Sequence, residues 1–264
     1  RAARITRTAI SPRLAIRIFF STRANVDGMA PTPSIWELRE VTETGSTNTD
    51  LLQAAEAGEI AHRTVLRTDH QTAGRGRLDR RWDAPAGTNL LASMYLDMAP
   101  SKAVDAMHRV GLAVVEAVTE LESTDSTVGL KWPNDVLLHG TKLAGVLAQR
   151  STTASGIVVG FGVNVGWAPP GAARVHDVDT SVTPAGLLQR VLVAFDALPD
   201  DISTAYRARL QTLGRRVRVE LPSSVNVFGE AVDVDGEGRL VVRLDDGQMR
   251  VFDVGDVVHL RSAT

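Results

Sequence analysis

VGLKWPNDVLLHGTKLAGVLAQ, residues 128–149, holds two apolar runs of strand length on either side of His139-Gly140-Thr141. That turn-forming group between the runs makes the stretch a β-hairpin. Pro133 has no N–H to give to a ladder, so it belongs at a strand end or a bulge. The neighbours complete a sheet. GIVVGFGVNV (156–165) reads as a buried strand, and Gly160 and Gly162 leave room there for close approach of a ligand or another backbone. NLLASMYLD (89–97) reads as another buried strand, HRTVLRTD (62–69) alternates like a strand, and WELREV (36–41) reads as the first. Between them GSTNTDLLQAAEAGE (45–59) supplies a cap-rich turn and a helix. SKAVDAMHRVGLAVVEAVTEL (101–121) is the clearest helix, with Ser101 as its expected N-cap and Met107, Val110, Val114, Val118 and Leu121 on one face. TPAGLLQRVLVAFDAL (183–198) and a second segment ending near Gly214 are helical too.

Past Gly214 the texture changes to short alternating strands with turns at Asp235-Gly236, Glu237-Gly238 and Asp246-Gly247, the pattern of a small β-barrel. The expected fold class is therefore α+β. A mixed sheet flanked by helices spans 35–213, and a barrel unit occupies 214–264. Residues 1–34 are set aside as an extension that is disordered or foreign to the native chain. Their first 28 residues carry six arginines and one acid, Asp27; a transit peptide, a disordered tail and sequence upstream of a start at Met29 all fit, and the last is preferred.

Composition narrows the chemistry. A 264-residue chain with 44% hydrophobic residues can bury a substantial core, and a formal net charge of -2 implies no bulk attraction to nucleic acid or anionic lipid. The absence of cysteine excludes disulfides, thiolate catalysis and Cys-ligated metals, and it fits a cytoplasmic setting. The six histidines never fall at metal-ligand spacing, so no metal site is expected, and no apolar run is long enough to span a membrane.

Any basic site must then be local, and QTAGRGRLDRRW (71–82) holds four arginines and two glycines in twelve residues. Buried without partners these cations would be prohibitively costly, so the segment faces either water or an anion. Guanidinium groups grip phosphate or carboxylate in pairs, and glycine lets backbone N–H groups converge on an anion. A solvated basic loop and a nucleic-acid patch are the competing readings. LKWPNDV (130–136) is either a hairpin with a packed tryptophan or a site at a strand end; Gly45-Ser46-Thr47-Asn48 is either a helix cap or a site; Lys142 to Gly145 alone says little. No P-loop or dinucleotide spacing occurs.

Taken in order, STN, Q-x-x-GRGR-x-x-R-x-W, KWPND and KLAG resemble the biotin protein ligases, from about Trp36 to the C-terminus. GFGVNV is similar to the family's G-x-G-x-N strand, and the terminal unit to its SH3-like barrel. The resemblance implies ATP-dependent formation of biotinyl-5'-adenylate, then transfer to a lysine of a biotin carboxyl carrier protein, with magnesium accompanying ATP. It implies that Ser46, Thr47 and Asn48 contact the ureido and tail groups of biotin. Gln71 and the backbone from Gly74 through Gly76 to Arg77 complete that pocket, and Trp82 shapes it. Arg75 and Arg77 take the carboxylate and phosphate, Asn134 and Lys142 face nucleotide or phosphate, Asp135 orients the incoming lysine, and Lys131 assists. Arg80, Trp132 and Asn164 join the binding set, and Gly145 keeps the floor open.

Two positions depart from the family pattern: Asp79 stands where many members have glycine, and Leu78 where many are basic. Aspartate tolerates a left-handed conformation, so the fold of the loop can survive, and its charge can pair with Arg80 or Arg81; a shift in loop closure or adenylate retention is expected more readily than loss of activity. With too few residues for a winged helix before the first catalytic strand, a monomer or weak homodimer without DNA binding is expected. The alternatives are a lipoate or octanoyl transferase of the same superfamily and a non-catalytic RNA- or protein-binding module.

Overall fold

The structure, a computed structural model, describes residues 15–22, 33–121, 128–151, 155–221, 225–253 and 255–259, with backbone alone at 15–22, 33–34 and 79. In chain order the elements up to residue 209 are strand β1 (Ala15–Thr22), β2 (Pro33–Thr44), helix α1 (Thr47–Glu56), β3 (Thr64–Gln71), β4 (Leu90–Leu96), α2 (Ala103–Thr119), β5 (Val128–Lys131), β6 (Asp135–Leu138), β7 (Thr141–Arg150), β8 (Ile157–Val163), α3 (Pro184–Ala197) and α4 (Ser203–Arg209). Eight strands form one sheet in the order β1-β2-β3-β4-β8-β7-β6-β5. The β2–β3 pair is parallel and the other pairs are antiparallel, so the sheet is mixed as expected.

Three expectations need correcting. Part of the segment set aside at the N-terminus, Ala15–Thr22, is an edge strand paired with β2 from Ala15↔Glu40 to Thr22↔Pro33; the arginine-rich composition of the first 28 residues masks this short strand in the sequence. Ser101 does not cap the long helix. It lies in a 3-10 turn, Pro100–Lys102, and α2 begins at Ala103 without a side-chain cap. The hairpin of 128–149 is in fact two hairpins. His139 (φ 50) and Gly140 (φ 76) make the left-handed turn between β6 and β7, while Trp132–Asn134 turns β5 into β6.

Both faces of the central strands are covered, which is why β4 is buried at every position. On one face Leu90, Ala92, Met94, Val159 and Phe161 meet Val110, Val114 and Val118 of α2 and Leu188 and Val191 of α3. On the other, Leu66, Tyr95 and Val158 receive Leu51 and Ala55 of α1. Asp196, buried at the end of α3, accepts the Trp36 indole N–H at 2.9 Å and pairs with Arg63 at 2.5 Å, tying α3 to the β2 side of the sheet. A buried carboxylate of this kind is tolerable because both partners are hydrogen-bonded to it.

The C-terminal strands β9 (Arg216–Glu220), β10 (Asn226–Val234), β11 (Leu240–Leu244), β12 (Met249–Phe252) and β13 (Asp256–His259) form an antiparallel sheet in the order β12-β11-β10-β9-β13. Among the described residues no β12–β13 pairing closes this sheet into a barrel. Val217, Val219 and Val242 belong to the same apolar core as α2 and α3.

Candidate active site

The site lies on the α1 face of the sheet, where side chains shrink. Cross-strand pairing sets Gly145 opposite Gly162, and Gly160 opposite both Ser93 and Leu147. The result is a bare strip of backbone. Helix α1 fills only one end of this face with Leu51 and Ala55, and its first turn delivers Thr47 and Asn48 to the edge of the strip. Asn48 lies directly on Gly160, where an added Cβ would stand 2.1 Å from Oδ1. Trp82 lies on Gly162, where a Cβ would stand 2.5 Å from the indole nitrogen.

A buried polar network runs along this floor. The Thr47 N–H and Oγ1 lie 2.9 and 3.0 Å from Gln71 Oε1, which accepts from them, and the Thr47 hydroxyl is 2.6 Å from that of Ser93. Ser93 donates to Asn48 Oδ1 at 2.6 Å, and Asn48 Nδ2 donates to Gln149 Oε1 at 2.7 Å and to the Leu147 carbonyl at 3.3 Å. Both amide protons of Asn48 are thereby committed, so its orientation is fixed before any ligand arrives. Ser46 occupies the N-cap position but its side chain caps nothing, which leaves the hydroxyl to the cavity.

The arginine segment is a closed loop. Trp82 N–H donates to the Gly74 carbonyl at 3.0 Å and Gly76 N–H to the Arg80 carbonyl at 2.7 Å. A Cβ at Gly74 would stand 2.3 Å from the Trp82 carbonyl, so this glycine serves backbone approach. The Gly76 N–H expected to face an anion is instead used in closing the loop. The left-handed residue of the loop is Leu78 (φ 53, ψ 43). Arg80 pairs with Asp256 and Arg81 with Asp83 at 3.0 Å; the pairing expected of Asp79 lies outside the described residues. Arg77 donates to Asn134 Oδ1 and to the Gly255 carbonyl, each at 3.3 Å; burial draws its pKa below the usual value, against the opposing pull of Asp256 and Asp135.

Two cavities result. The first is lined by Ser46, Thr47, Asn48, Gln71, Arg75, Trp82 and Gly145, together with Gln149 and Gly160. Among the described residues the Arg75 guanidinium has no hydrogen-bond or ion-pair partner, and the buried Trp82 indole N–H is also unpartnered. The second is lined by Arg77, Arg80, Lys131, Trp132, Asn134, Asp135 and Lys142, facing Glu220 and Asp256 of the C-terminal sheet. Lys142 joins the two: its Nζ is 2.6 Å from Asp135 Oδ1 and 5.7 Å from the centre of the Trp82 ring. An anion bridging the cavities would meet Arg75 on one side and Lys142, Lys131 and Arg77 on the other. This is a geometry for stabilising charge on phosphorus.

Gly74, Gly76 and Asn164 line neither cavity. Asn164 is buried, donating to the Ala173 carbonyl at 2.9 Å and accepting from Asn89 at 3.4 Å, so it braces the loop after β8. Sequence reading missed Ser93 and Gln149, whose signal was a polar residue inside an apolar strand run. It also missed Glu220 and Asp256, which carried no signal because they come from a separate sheet.

Residues 41–164 match the biotin/lipoate A/B protein ligase family and residues 212–260 the biotin protein ligase C-terminal domain. The chain is 40% identical over 242 residues to a biotin–[acetyl-CoA-carboxylase] ligase of Mycobacterium tuberculosis, covering 85% of this chain and 90% of that protein. It is 28% identical to the bifunctional ligase/repressor BirA of Escherichia coli, covering 83% of this chain and 72% of that one. Its fold is similar to the biotin protein ligase from Aquifex aeolicus solved with biotin and ATP, with TM-score 0.68, 25% identity, and coverage of 85% of this chain and 99% of that chain.

Proposed function

This chain belongs to the biotin protein ligase family, and we propose on that premise that it attaches biotin to one lysine of a biotin carboxyl carrier protein, using ATP. The observation that carries the reading is the pair of adjoining cavities, one floored by a fixed polar network and one cationic, with Lys142 between them. The first takes biotin, with Thr47, Ser46 and Gln71 toward its polar head and Arg75 toward its carboxylate. The second takes the nucleotide.

In the first step a biotin carboxylate oxygen bonds to the α-phosphorus, the bond from that phosphorus to the bridging oxygen breaks, and pyrophosphate leaves. In the second the neutral amine of the carrier lysine attacks the acyl carbon, AMP departs, and an amide remains. The protein supplies no nucleophile. Its contribution is to hold the reactants in register and to neutralise phosphate with Lys142, Arg75 and Arg77. Once Lys142 turns to phosphate, Asp135 is released from its ion pair to accept a proton from the incoming ammonium. The arginine loop screens the mixed anhydride from water.

Magnesium would accompany ATP, neutralising phosphate charge. Among the described residues no three His, Cys, Asp or Glu side chains cluster to hold a metal, and Asp135 and Asp256 are paired to cations. Such a site fits an ion held mainly by substrate oxygens and one or two carboxylates. The reading also carries an SH3-like C-terminal unit, a cytoplasmic setting and a monomer or weak homodimer; no described helix is long and apolar enough to cross a membrane.

The test is transfer of labelled biotin to a purified carrier domain with ATP and magnesium, comparing the protein with Arg77→Ala. Labelling that falls at least tenfold in the variant supports the reading. Absence of labelling by the folded protein, with transfer of lipoate or octanoate instead, would replace it with the lipoate branch of the superfamily.

A further inference from the structure

Trp132 is gripped at both of its N–H groups by residues outside its own hairpin. Its backbone N–H donates to Thr212 Oγ1 at 3.0 Å, and its indole N–H donates to the Gly238 carbonyl at 3.0 Å. Thr212 is fully buried in the segment after α4, and its hydroxyl lies 3.1 Å from His259 Nε2 on β13. Thr212 Oγ1 accepts from Trp132, and with the imidazole proton on Nδ1 the hydroxyl donates its own proton to Nε2, which makes Trp132, Thr212 and His259 one directional chain. The chain has its acceptor when the imidazole is neutral, and burial together with nearby Lys131 and Arg215 pulls the His259 pKa down to about 4.

The other anchor is equally constrained. Gly238 sits at φ +78, and a Cβ there would stand 2.6 Å from Val104 and 2.7 Å from His108 on α2, so the β10–β11 turn is seated against the catalytic sheet's own helix. Trp132 heads the turn that carries Asn134 and Asp135 into the second cavity, and Trp132 itself lines that cavity. Its plane is therefore set from residues 212, 238 and 259, all within the C-terminal match region.

We infer that Thr212 and His259 are positioning residues for the nucleotide half of the reaction: through Trp132 they fix the Lys131–Asp135 turn from the C-terminal sheet. The inference rests on the ligase reading for the identity of the second cavity's occupant. It goes beyond that reading in assigning a role to two residues that touch no substrate. Neither motif nor spacing singles them out, and Thr212 lines neither cavity.

The experiment compares Thr212→Val, Thr212→Ser, His259→Leu and His259→Gln with the unaltered protein. Steady-state carrier biotinylation gives kcat and KM for ATP and for biotin, calorimetry gives the biotin Kd without ATP, and the Trp132 indole N–H resonance is followed by NMR. Thr212→Val and His259→Leu are expected to raise KM for ATP or lower kcat by about tenfold, with biotin Kd within twofold. The Trp132 indole resonance is expected to shift while that of Trp36 stays. Thr212→Ser restores the hydroxyl and His259→Gln places an amide near the imidazole nitrogen, so both should recover to within threefold. Equal losses for biotin and ATP, failure of the conservative variants to recover, or an unmoved Trp132 resonance would overturn the inference. If the unaltered protein labels no carrier, the ligase reading fails, and the indole resonance still decides whether the chain positions Trp132.

Discussion

Replacing Gly160 with alanine tests whether the floor of the first cavity is built as described. The new methyl would stand 2.1 Å from Asn48 Oδ1 and 2.7 Å from its Cγ, so the amide must retreat by roughly 1 Å to reach ordinary contact distance. Retreat is blocked. Asn48 is held by Ser93 at 2.6 Å and Gln149 at 2.7 Å, and Ser93 is itself fully buried. Breaking two such bonds at about 1 kcal/mol each, and leaving buried polar atoms unmatched, gives a loss of about 2–4 kcal/mol. At about 2–4 °C per kcal/mol for a protein of this size, the melting temperature should fall by roughly 5–15 °C. Biotin Kd measured by calorimetry should rise at least tenfold, because Thr47 sits beside Asn48 in the same network. Gly45→Ala is the matched control: it lies at the head of the same helix, nothing stands within 4 Å of the place its methyl would take, and stability should change by less than about 0.5 kcal/mol. A Gly160→Ala protein with unaltered melting and unaltered biotin binding would refute the account of the floor.

Asp196→Ala should destabilise by about 3–5 kcal/mol in urea unfolding, since it strands the Arg63 guanidinium and the Trp36 indole N–H together; a loss under about 1 kcal/mol would count against the buried trio. Lys142→Met should reduce carrier labelling by about a hundredfold while melting stays nearly constant, because its pair with Asp135 is partly exposed and worth about 0–1 kcal/mol. Large destabilisation with proportionate activity would argue that Lys142 is structural. His108 is buried against Tyr206 at a ring separation of 3.9 Å, and burial lowers its pKa to about 3. A histidine held neutral in the fold contributes stability that is present above its ordinary value of 6.5 and is lost as pH falls from there toward 3. His108→Phe should therefore lose less stability than the unaltered protein between about pH 7 and pH 4.5 in urea titrations, and parallel losses would show that acid sensitivity arises elsewhere.

Much of the order of elements was legible because local pattern carries it. The Val110, Val114, Val118 period marks α2, the apolar runs around His139-Gly140 mark strands, and the alternation after Gly214 marks a second sheet. The motifs in 46–48, 71–82, 131–135 and 142–145 were legible as chemistry, because clustered cations and glycines cannot be explained by packing. What the sequence did not carry was which of those residues face the cavities. Arg75 and Arg77 are two positions apart, yet among the described residues the first is unpartnered at one cavity and the second is bound to Asn134 and to the Gly255 carbonyl beside β13.

Sequence alone determined the local alphabet: where helices and strands run, where charge is concentrated, and which chemistry the family motifs imply. Only the tertiary structure decided that Gly145, Gly160 and Gly162 lie together as one bare strip, because cross-strand register is a property of pairing and not of any single strand. It alone seated Trp82 and Asn48 on that strip and brought Asp256, Gly238 and His259 from the C-terminal sheet to the arginine loop and Trp132. Those contacts join segments far apart in the chain, and each depends on burial and orientation that no local spacing records.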